Sequence, residues 1–429
     1  MNDPAPVMLG DYLRVKHGFA FKGEYFTEEA MSDVLVTPGN FAIGGGFRDG
    51  NAKYYDGPVL QEFVLQASDL VVTMTDLSKE GDTLGYPALI PDAPGRRYLH
   101  NQRIGLVEIT RAAELDKRFL FYRLRARDYR QHILATASGS TVRHTSPGRI
   151  CEFKLTLPPL QKQRAIAAAL GVLDDKINQN RLTARAMEEL ARSLFRAWFV
   201  DFEPVRAKAR GATAFPSMPQ QVFDGLPDTF TDSELGEVPA GWQLRALSDV
   251  FAINPSRPLR KGEPAPYLDM KNMPTESHAP QEWGIRSVGS GARFANGDTL
   301  VARITPCLEN GKTAFVDFLE DGQFGWGSTE YIVLRPEPPV PGFFAYLLAR
   351  TPTFRSFAIT NMTGSSGRQR VPLDVIAKFP VAVAPGPVMA AFDDIVRPLF
   401  AYVRAMVCES RKLGAMRDSL LPAMLFLSE

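Results

Sequence analysis

The chain has 429 residues, with 49 Lys and Arg against 48 Asp and Glu and a formal net charge of +1. At roughly 150 residues per domain this length implies two or three domains, and 45% hydrophobic with 23% charged residues is the composition of an ordinary globular protein. The longest apolar run, Ala165 to Leu173, is too short to span a bilayer, and near-neutrality excludes a protein that coats nucleic acid by bulk charge while leaving room for a local basic face.

At the start of the chain, Met1-Asn-Asp-Pro-Ala-Pro6 lacks a basic region followed by an apolar stretch, so no secretory signal is expected. Short apolar segments follow: Asp33–Thr37, Phe63–Leu65, Asp69–Met74 and Ile104–Ile109, separated by turn-formers such as Gly44–Gly46 and Pro94-Gly95. They predict a mixed or antiparallel sheet. From Leu115 to Thr136 the spacing of Leu115, Phe119, Tyr122, Tyr129 and Ile133 turns helical, and the cations between Lys117 and Arg130 read as its solvated face. Residues 211–240 carry five acidic and no basic side chains among Pro, Gly, Ser and Thr, the composition of a linker. Beyond it, Asp298–Arg303, Thr313–Val316 and Tyr331–Leu334 read as strands and Gly342–Thr360 as helical. Cys151, Cys307 and Cys408 are far apart, so neither a zinc site nor a disulfide framework is indicated and a reducing cytoplasm is the expected location.

An internal repeat with a spacing of about 226 residues organises these segments. Asp69-Leu-Val-Val matches Asp298-Thr-Leu-Val, Phe119–Leu124 matches Phe343–Leu348, Ser138–Arg143 matches Thr363–Arg368, and Ile150–Phe153 matches Ile376–Phe379, always in the same order. Each copy ends in a heptad-like stripe. Steps of four and three give Ile166, Leu170, Leu173, Ile177, Asn180, Ala184, Met187, Ala191, Leu194 and Trp198, nine of them apolar. The same steps give Phe392, Val396, Leu399, Val403, Met406, Ser410, Leu413, Arg417, Leu420 and Met424, eight of them apolar. Such stripes predict two long helices that bury one face each against the other, the first a rod of about 50 Å at about 1.5 Å per residue. Asn180 in the seam is a candidate register-setting residue, and Pro398 predicts a kink or a helix that begins near it.

Three segments carry a family resemblance: Leu157-Pro-Pro-Leu-Gln-Lys-Gln-Arg-Ala-Ile166, Leu173-Asp-Asp-Lys-Ile-Asn-Gln-Asn180 and Ala191-Arg-Ser-Leu-Phe-Arg-Ala-Trp-Phe-Val-Asp-Phe202. With Ser233–Trp242, Tyr267–Met273 and Ala302–Lys312, they resemble the specificity (S) subunits of type I restriction-modification systems. The departure is Pro385-Gly-Pro-Val-Met389, which stands where the first copy has Pro159-Leu-Gln-Lys-Gln163. The resemblance implies an α+β fold: two β-rich target recognition domains separated by two long antiparallel coiled-coil helices in a pseudo-two-fold repeat. The expected boundaries are 1–157 for the first recognition domain, 158–202 for the first helix, 203–240 for the linker, 241–384 for the second domain and 385–429 for the second helix. It further implies a non-catalytic subunit whose domains each read half of a bipartite double-stranded DNA site. Two methyltransferase subunits would dock on the helices and, through them, a restriction subunit. S-adenosylmethionine, and ATP with Mg for restriction, would belong to those partners and no cofactor to this chain.

Reading bases requires donors and acceptors on loops, backed by cations on phosphates. In the first domain the candidates are Arg96, Arg97, Asn101, Gln102 and Arg103, with His100 among them, and Ser140, Thr141, Arg143 and His144 of the loop from Ser138. In the second they are Lys271, Asn272, Arg303, Asn310, Lys312, Ser365, Ser366, Arg368, Gln369 and Arg370. The residues expected to pack the helices are Ile166, Leu170, Leu173, Ile177, Met187, Leu194, Trp198, Phe392, Val396, Leu399, Val403, Leu413 and Leu420.

Enzyme signals are weak. Gly311-Lys-Thr313 partly matches a phosphate-binding loop, but Pro306 stands where that loop needs Gly. Asp174-Asp-Lys176 reads as a helix's solvent face. Two rival readings are a coiled-coil scaffold with protein-binding ends and an enzyme of unfamiliar motif. The first predicts no sequence-selective DNA binding and the second predicts activity from the isolated chain.

Overall fold

The computed structural model describes residues 5–48, 52–78, 80–280, 282–365 and 367–426. The chain divides into two units, Met1–Asp175 with Leu413–Glu429 and Lys176–Lys412. No helix among the described residues is long and apolar enough to cross a membrane.

In the first unit, Leu13–His17, Ile104–Ile109, Leu70–Thr73 and Pro87–Leu89 form an antiparallel sheet in that order. Every residue of Leu70–Thr73 is buried, because both faces of this strand are covered. Side chains alternate along a strand, so Leu70 and Val72 meet Leu13, Phe119, Leu120 and Tyr122 while Val71 meets Val34, Val36 and Tyr98. The second sheet has the order Phe26–Thr27, Lys53–Tyr55, Asp33–Val36, Arg97–His100, Val64–Leu65, its central pair Asp33–Val36 and Arg97–His100 being parallel. Val7–Met8 pairs with Lys154–Leu155 to close the unit.

The second unit repeats this plan. Phe251–Ile253, Tyr331–Pro336, Thr299–Ala302 and Thr313–Phe315 form the antiparallel sheet. Gly284–Ser287, Pro264–Leu268, Phe324–Gly327 and Arg293–Ala295 form the other, again with a parallel central pair, Pro264–Leu268 and Phe324–Gly327. Gln243–Ala246 pairs with Pro380–Val383 as Val7–Met8 does with Lys154–Leu155. The helical stretch predicted in each repeat is two helices: Lys117–Arg123 and Arg127–Thr136 in the first unit, Gly342–Ala349 and Pro352–Thr360 in the second. In the second pair Thr351 supplies the reason for the break, since its hydroxyl caps Phe354 N and Pro352 opens the next helix.

The cations of the first helical pair are not a solvated face. Arg123 and Arg125 are buried; Arg123 pairs with Asp128, and Arg125 donates to the Gly44 carbonyl at 2.7 Å and lies 3.3 Å from Asp174. Arg130 donates to the Leu84 and Gly81 carbonyls. Guanidinium forks here satisfy loop carbonyls that would otherwise be orphaned. Gly45 fits this contact: at φ +88° it turns the chain, and a Cβ there would lie 2.8 Å from Arg125 Cγ.

The two long helices are Leu160–Phe199 and Gly386–Phe426, and each contributes to both units. In the first unit Ile166, Ala167 and Leu170 share a core with Leu421, and Met424 and Leu425 pack against it. In the second, Phe195 and Trp198 stack near Phe392, and Asn180 donates to Glu409 at 2.7 Å. Rising numbers on one helix meet falling numbers on the other, so the helices are antiparallel within each unit. Ile166, Leu170, Trp198, Phe392, Val396 and Val403 are buried, while Leu173, Ile177, Met187, Leu194, Leu399 and Leu413 are half-buried. Leu420 is the correction: it is 39% exposed, and Leu421 is buried instead. An ideal helix drifts about 20° per heptad against a strict 3.5-residue repeat, so the buried face has advanced one position by the end of the stripe. The same drift buries Phe195 beside Leu194, four heptads past Ile166. The second helix begins at Gly386 and runs as one element through Pro398, which is exposed.

The stretch read as a linker is folded. It holds helices Glu203–Ala209 and Gln220–Asp224 and a hairpin of Phe230–Ser233 with Gly236–Pro239. Val205, Met218, Phe223, Leu226 and Val238 join the core of the second unit, and Lys208 Nζ donates to the Asp224 and Leu226 carbonyls, both at 2.6 Å. Its apolar residues are too sparse to show a period, yet nearly all face inward.

Candidate nucleic-acid interface

In the first unit the candidate residues gather around Met74, just past the strand Leu70–Thr73. The Met74 N–H donates to the Arg103 carbonyl at 2.8 Å, and its carbonyl accepts from Thr145 N at 3.0 Å. The turn Asn101–Arg103 and the loop Ser138–His144 therefore flank one strand end. The loop is closed by reciprocal bonds, Ser138 N to His144 O at 3.0 Å and His144 N to Ser138 O at 2.8 Å. Gly139 (φ +92°) makes this closure possible, since a Cβ there would meet the Val142 carbonyl at 2.0 Å. Arg143–His144 then pairs with Thr75–Asp76, and Thr75 Oγ1 lies 3.1 Å from His144 Nδ1.

The second unit builds the same junction around Arg303. Its N–H donates to the Glu330 carbonyl and its carbonyl accepts from Val371 N, both at 3.0 Å. The loop Thr363–Arg370 is closed by Thr363 N to Arg370 O at 2.9 Å and Arg370 N to Thr363 O at 2.8 Å. Arg370 bridges to Ile304 as His144 pairs with Thr75. Backbone geometry is thus shared and side chains differ: Glu330 stands where the first unit has Arg103, and Arg370 where it has His144.

Gln102, Arg103, Ser140, Thr141 and His144 are exposed around the first junction, with Arg143 half-buried beside them. Asn101 is half-buried, its Oδ1 accepting from Arg103 N at 3.0 Å. His100 belongs to the core, fully buried with Nε2 2.8 Å from the Ile104 carbonyl. Arg96 and Arg97 stand apart at the far end of the strand Arg97–His100, where Arg97 forks onto Asp33. In the second unit Lys271 is exposed and Asn272 half-buried on a short turn that Asp269 caps. Lys312 Nζ donates to the Met270 carbonyl at 2.7 Å, and Lys312 O accepts from Ala302 N at 3.0 Å. This joins Lys271, Asn272 and Lys312 to the same strand end as Arg303 and Arg370. Asn310, Ser365 and Arg368 are exposed, Gln369 is half-buried, and Ser366 lies outside the described residues.

Electrostatics fixes the frame. Burial acts to raise the Asp76 pKa, but bonds from the Thr83 hydroxyl and from the Ser78 and Thr83 amides prevail and lower it. Arg370 forks onto Glu330, with Nε 2.9 Å from both oxygens, and this bond raises its pKa. Among the described residues no group of three His, Cys, Asp or Glu is arranged to hold a metal ion.

Sequence reasoning missed a second feature, a set of buried polar contacts between the long helices and the rest of each unit. In the first unit Asp174, read as solvent-facing, accepts from Tyr122 Oη at 2.8 Å and Arg417 at 2.6 Å. The buried Gln163 accepts from Asp116 N at 2.9 Å and donates to the Glu114 carbonyl at 2.7 Å. In the second unit the buried Glu188 accepts from the Tyr346 hydroxyl, from Arg192 at 2.7 Å and from His278 N at 3.0 Å, and His278 Nε2 lies 3.1 Å from Asp317. The available signal was an acidic residue beside a seam position with a tyrosine repeated in both copies.

Residues 21–185 match the family described as the type I restriction modification DNA specificity domain. The chain is 32% identical over 168 residues to the type I restriction enzyme EcoAI specificity subunit of Escherichia coli, a match covering 37% of this chain and 28% of that subunit. It therefore spans little more than a quarter of that relative's length. With the HindI specificity subunit of Haemophilus influenzae it shares 23% identity over 354 residues, 72% of this chain and 76% of that one. Its fold resembles that of the type I restriction-modification S subunit from M. genitalium, with a TM-score of 0.54 at 15% identity over 98% of this chain and 96% of that one. The repeat and the junction built twice stand beside these matches: the chain is similar to type I restriction-modification specificity subunits, and its residues 21–185 match their DNA specificity domain.

Proposed function

We propose that the chain is the DNA-reading, non-catalytic subunit of a type I restriction-modification complex, each unit contacting one half of a bipartite, asymmetric site. One observation carries this reading: a single backbone junction is built twice and furnished differently, with Arg103 and His144 in one unit and Glu330 and Arg370 in the other. Shared backbone supports a shared task, and different side chains support different base sequences. Phosphate contacts set register and base-edge contacts set sequence, and the exposed Ser, Thr, Gln and Arg side chains supply the donors and acceptors for both.

The partners in this reading are two methyltransferase subunits on the helices and neighbouring surfaces, carrying S-adenosylmethionine, and a restriction subunit that uses ATP and Mg. A net charge of +1 assigns much of the electrostatic hold on DNA to those partners. Co-purifying the chain with its methylation subunit and mapping methylated adenines tests the proposal. A bipartite consensus supports it; methylation scattered without one overturns it.

A further inference from the structure

We propose that Leu77 reads a thymine through its 5-methyl group. The inference rests on the DNA-reading function above and assigns one contact within it. Leu77 is 67% exposed and follows directly on Thr75–Asp76, the strand that holds the foot of the loop Ser138–His144. The candidate DNA-facing side chains exposed at the same junction are polar: Ser140, Thr141, His144 and Arg103.

Its backbone is fixed in advance. The buried Asp76 carboxylate accepts from Ser78 N at 2.7 Å and from Thr83 Oγ1 at 2.6 Å, clamping the chain on both sides of Leu77. A side chain so exposed adds little to folding. On a backbone already held in place it is suited to a contact made on binding, because little backbone ordering remains to oppose it. In a DNA groove the apolar feature that distinguishes one base pair from another is the thymine methyl in the major groove. The second unit has Pro306 at the equivalent place, two residues past the bridge of Ile304 to Arg370, and it too is exposed and apolar. An apolar residue in this position is thus a property of the junction in both units.

The test uses the assembled methyltransferase complex and the bipartite site mapped by methylation. Each thymine is replaced in turn by deoxyuridine, which removes the methyl and leaves base pairing intact. At one thymine of one half-site, binding by the complex with the unaltered chain should weaken about fourfold, the worth of one buried methyl-sized group. Leu77→Ala should bind the natural duplex weaker by a similar factor and lose nothing further at that deoxyuridine. Losses that multiply at every thymine, a deoxyuridine scan that is flat with the unaltered chain, or a site without thymine would overturn the proposal. Methylation without a bipartite consensus would bring down the DNA-reading function itself, whereas a defined site without coupling would bring down Leu77 alone.

Discussion

Asp174 and Glu188 stand fourteen residues apart on one helix, and each accepts the hydroxyl of the tyrosine that holds the same place in its unit. The tyrosines are Tyr122, on Lys117–Arg123, and Tyr346, on Gly342–Ala349. Each unit is therefore fastened to the long helix by a tyrosine and a carboxylate, reinforced by arginines: Arg125 and Arg417 at Asp174, Arg192 at Glu188.

The two fastenings differ in depth, and their removal should differ in cost. Glu188 is 3% exposed at the side chain and Asp174 24%. Glu188→Gln leaves Arg192 and His278 facing a neutral amide, and breaking a buried pair in this way costs about 3 kcal/mol. Asp174→Asn, at a carboxylate about a quarter exposed, should cost less, about 1 kcal/mol. Urea unfolding of the two variants should show this order, and equal costs would mean that the depth difference is irrelevant.

Stability should also fall at alkaline pH through His278. Burial pulls its pKa down, but its hydrogen bond to Asp317 and its contact with Glu188 prevail and hold it at about 9, above the ordinary 6.5. Its contribution is complete below about 6.5 and is lost as pH rises through about 9. For Glu188 burial pushes upward, but His278, Arg192 and Tyr346 bring it down to about 2, so its contribution holds above about 4.5 and is lost as pH falls toward 2. The unaltered protein should therefore lose on the order of 2 kcal/mol between pH 6.5 and 10 that His278→Gln does not lose. Parallel pH profiles for the two would remove the histidine from the account.

These fastenings also show how far the sequence could be read. The repeat placed the two loops at matching positions, and the structure sets both on matching strand ends at Met74 and Arg303, because order and spacing along a repeat survive folding. The heptad stripe found both helices, yet it took Leu420 for Leu421, since a strict 3.5-residue step ignores the drift of a real helix. It could not mark Glu188, because the tyrosine that makes a buried carboxylate affordable lies 158 residues away. Arg123 and Arg125 read as solvated for the same reason: Asp128 is local, but the Gly44 carbonyl and Asp174 are not.

Asn180 supplies a test of the helix seam. It is buried, and its Nδ2 donates to Glu409 at 2.7 Å and lies 3.4 Å from Ser410 Oγ. Glu409 is about half exposed and can return to water. Asn180→Leu should therefore raise the melting temperature by a few degrees, as apolar burial replaces a bond worth about 1 kcal/mol, while relaxing the register that the amide specifies. Thermal unfolding reads the first effect. Cysteine cross-linking within the second unit, between residues 184 and 406 and between 184 and 403, reads the second, through a mixture of products where the unaltered chain favours the first pair.

Arg368 and Arg370 sit in one loop but should fail in different ways. Arg370 is held by Glu330 through both carboxylate oxygens, so its guanidinium is oriented before any DNA arrives. An oriented fork is suited to a base edge, where one good bidentate contact discriminates by about 1–3 kcal/mol. Arg368 is exposed at the loop tip between Gly367 and Gln369, a place suited to phosphate. In the assembled complex, Arg370→Ala should relax the preference for one base in one half-site, and Glu330→Gln should relax it partially by loosening the fork. Arg368→Ala should weaken binding to all sequences alike and reduce the slope of log affinity against log salt by about 0.9. Salt titrations on matched and mismatched duplexes separate the two, and a uniform loss from Arg370→Ala would move that residue from the base edge to the backbone.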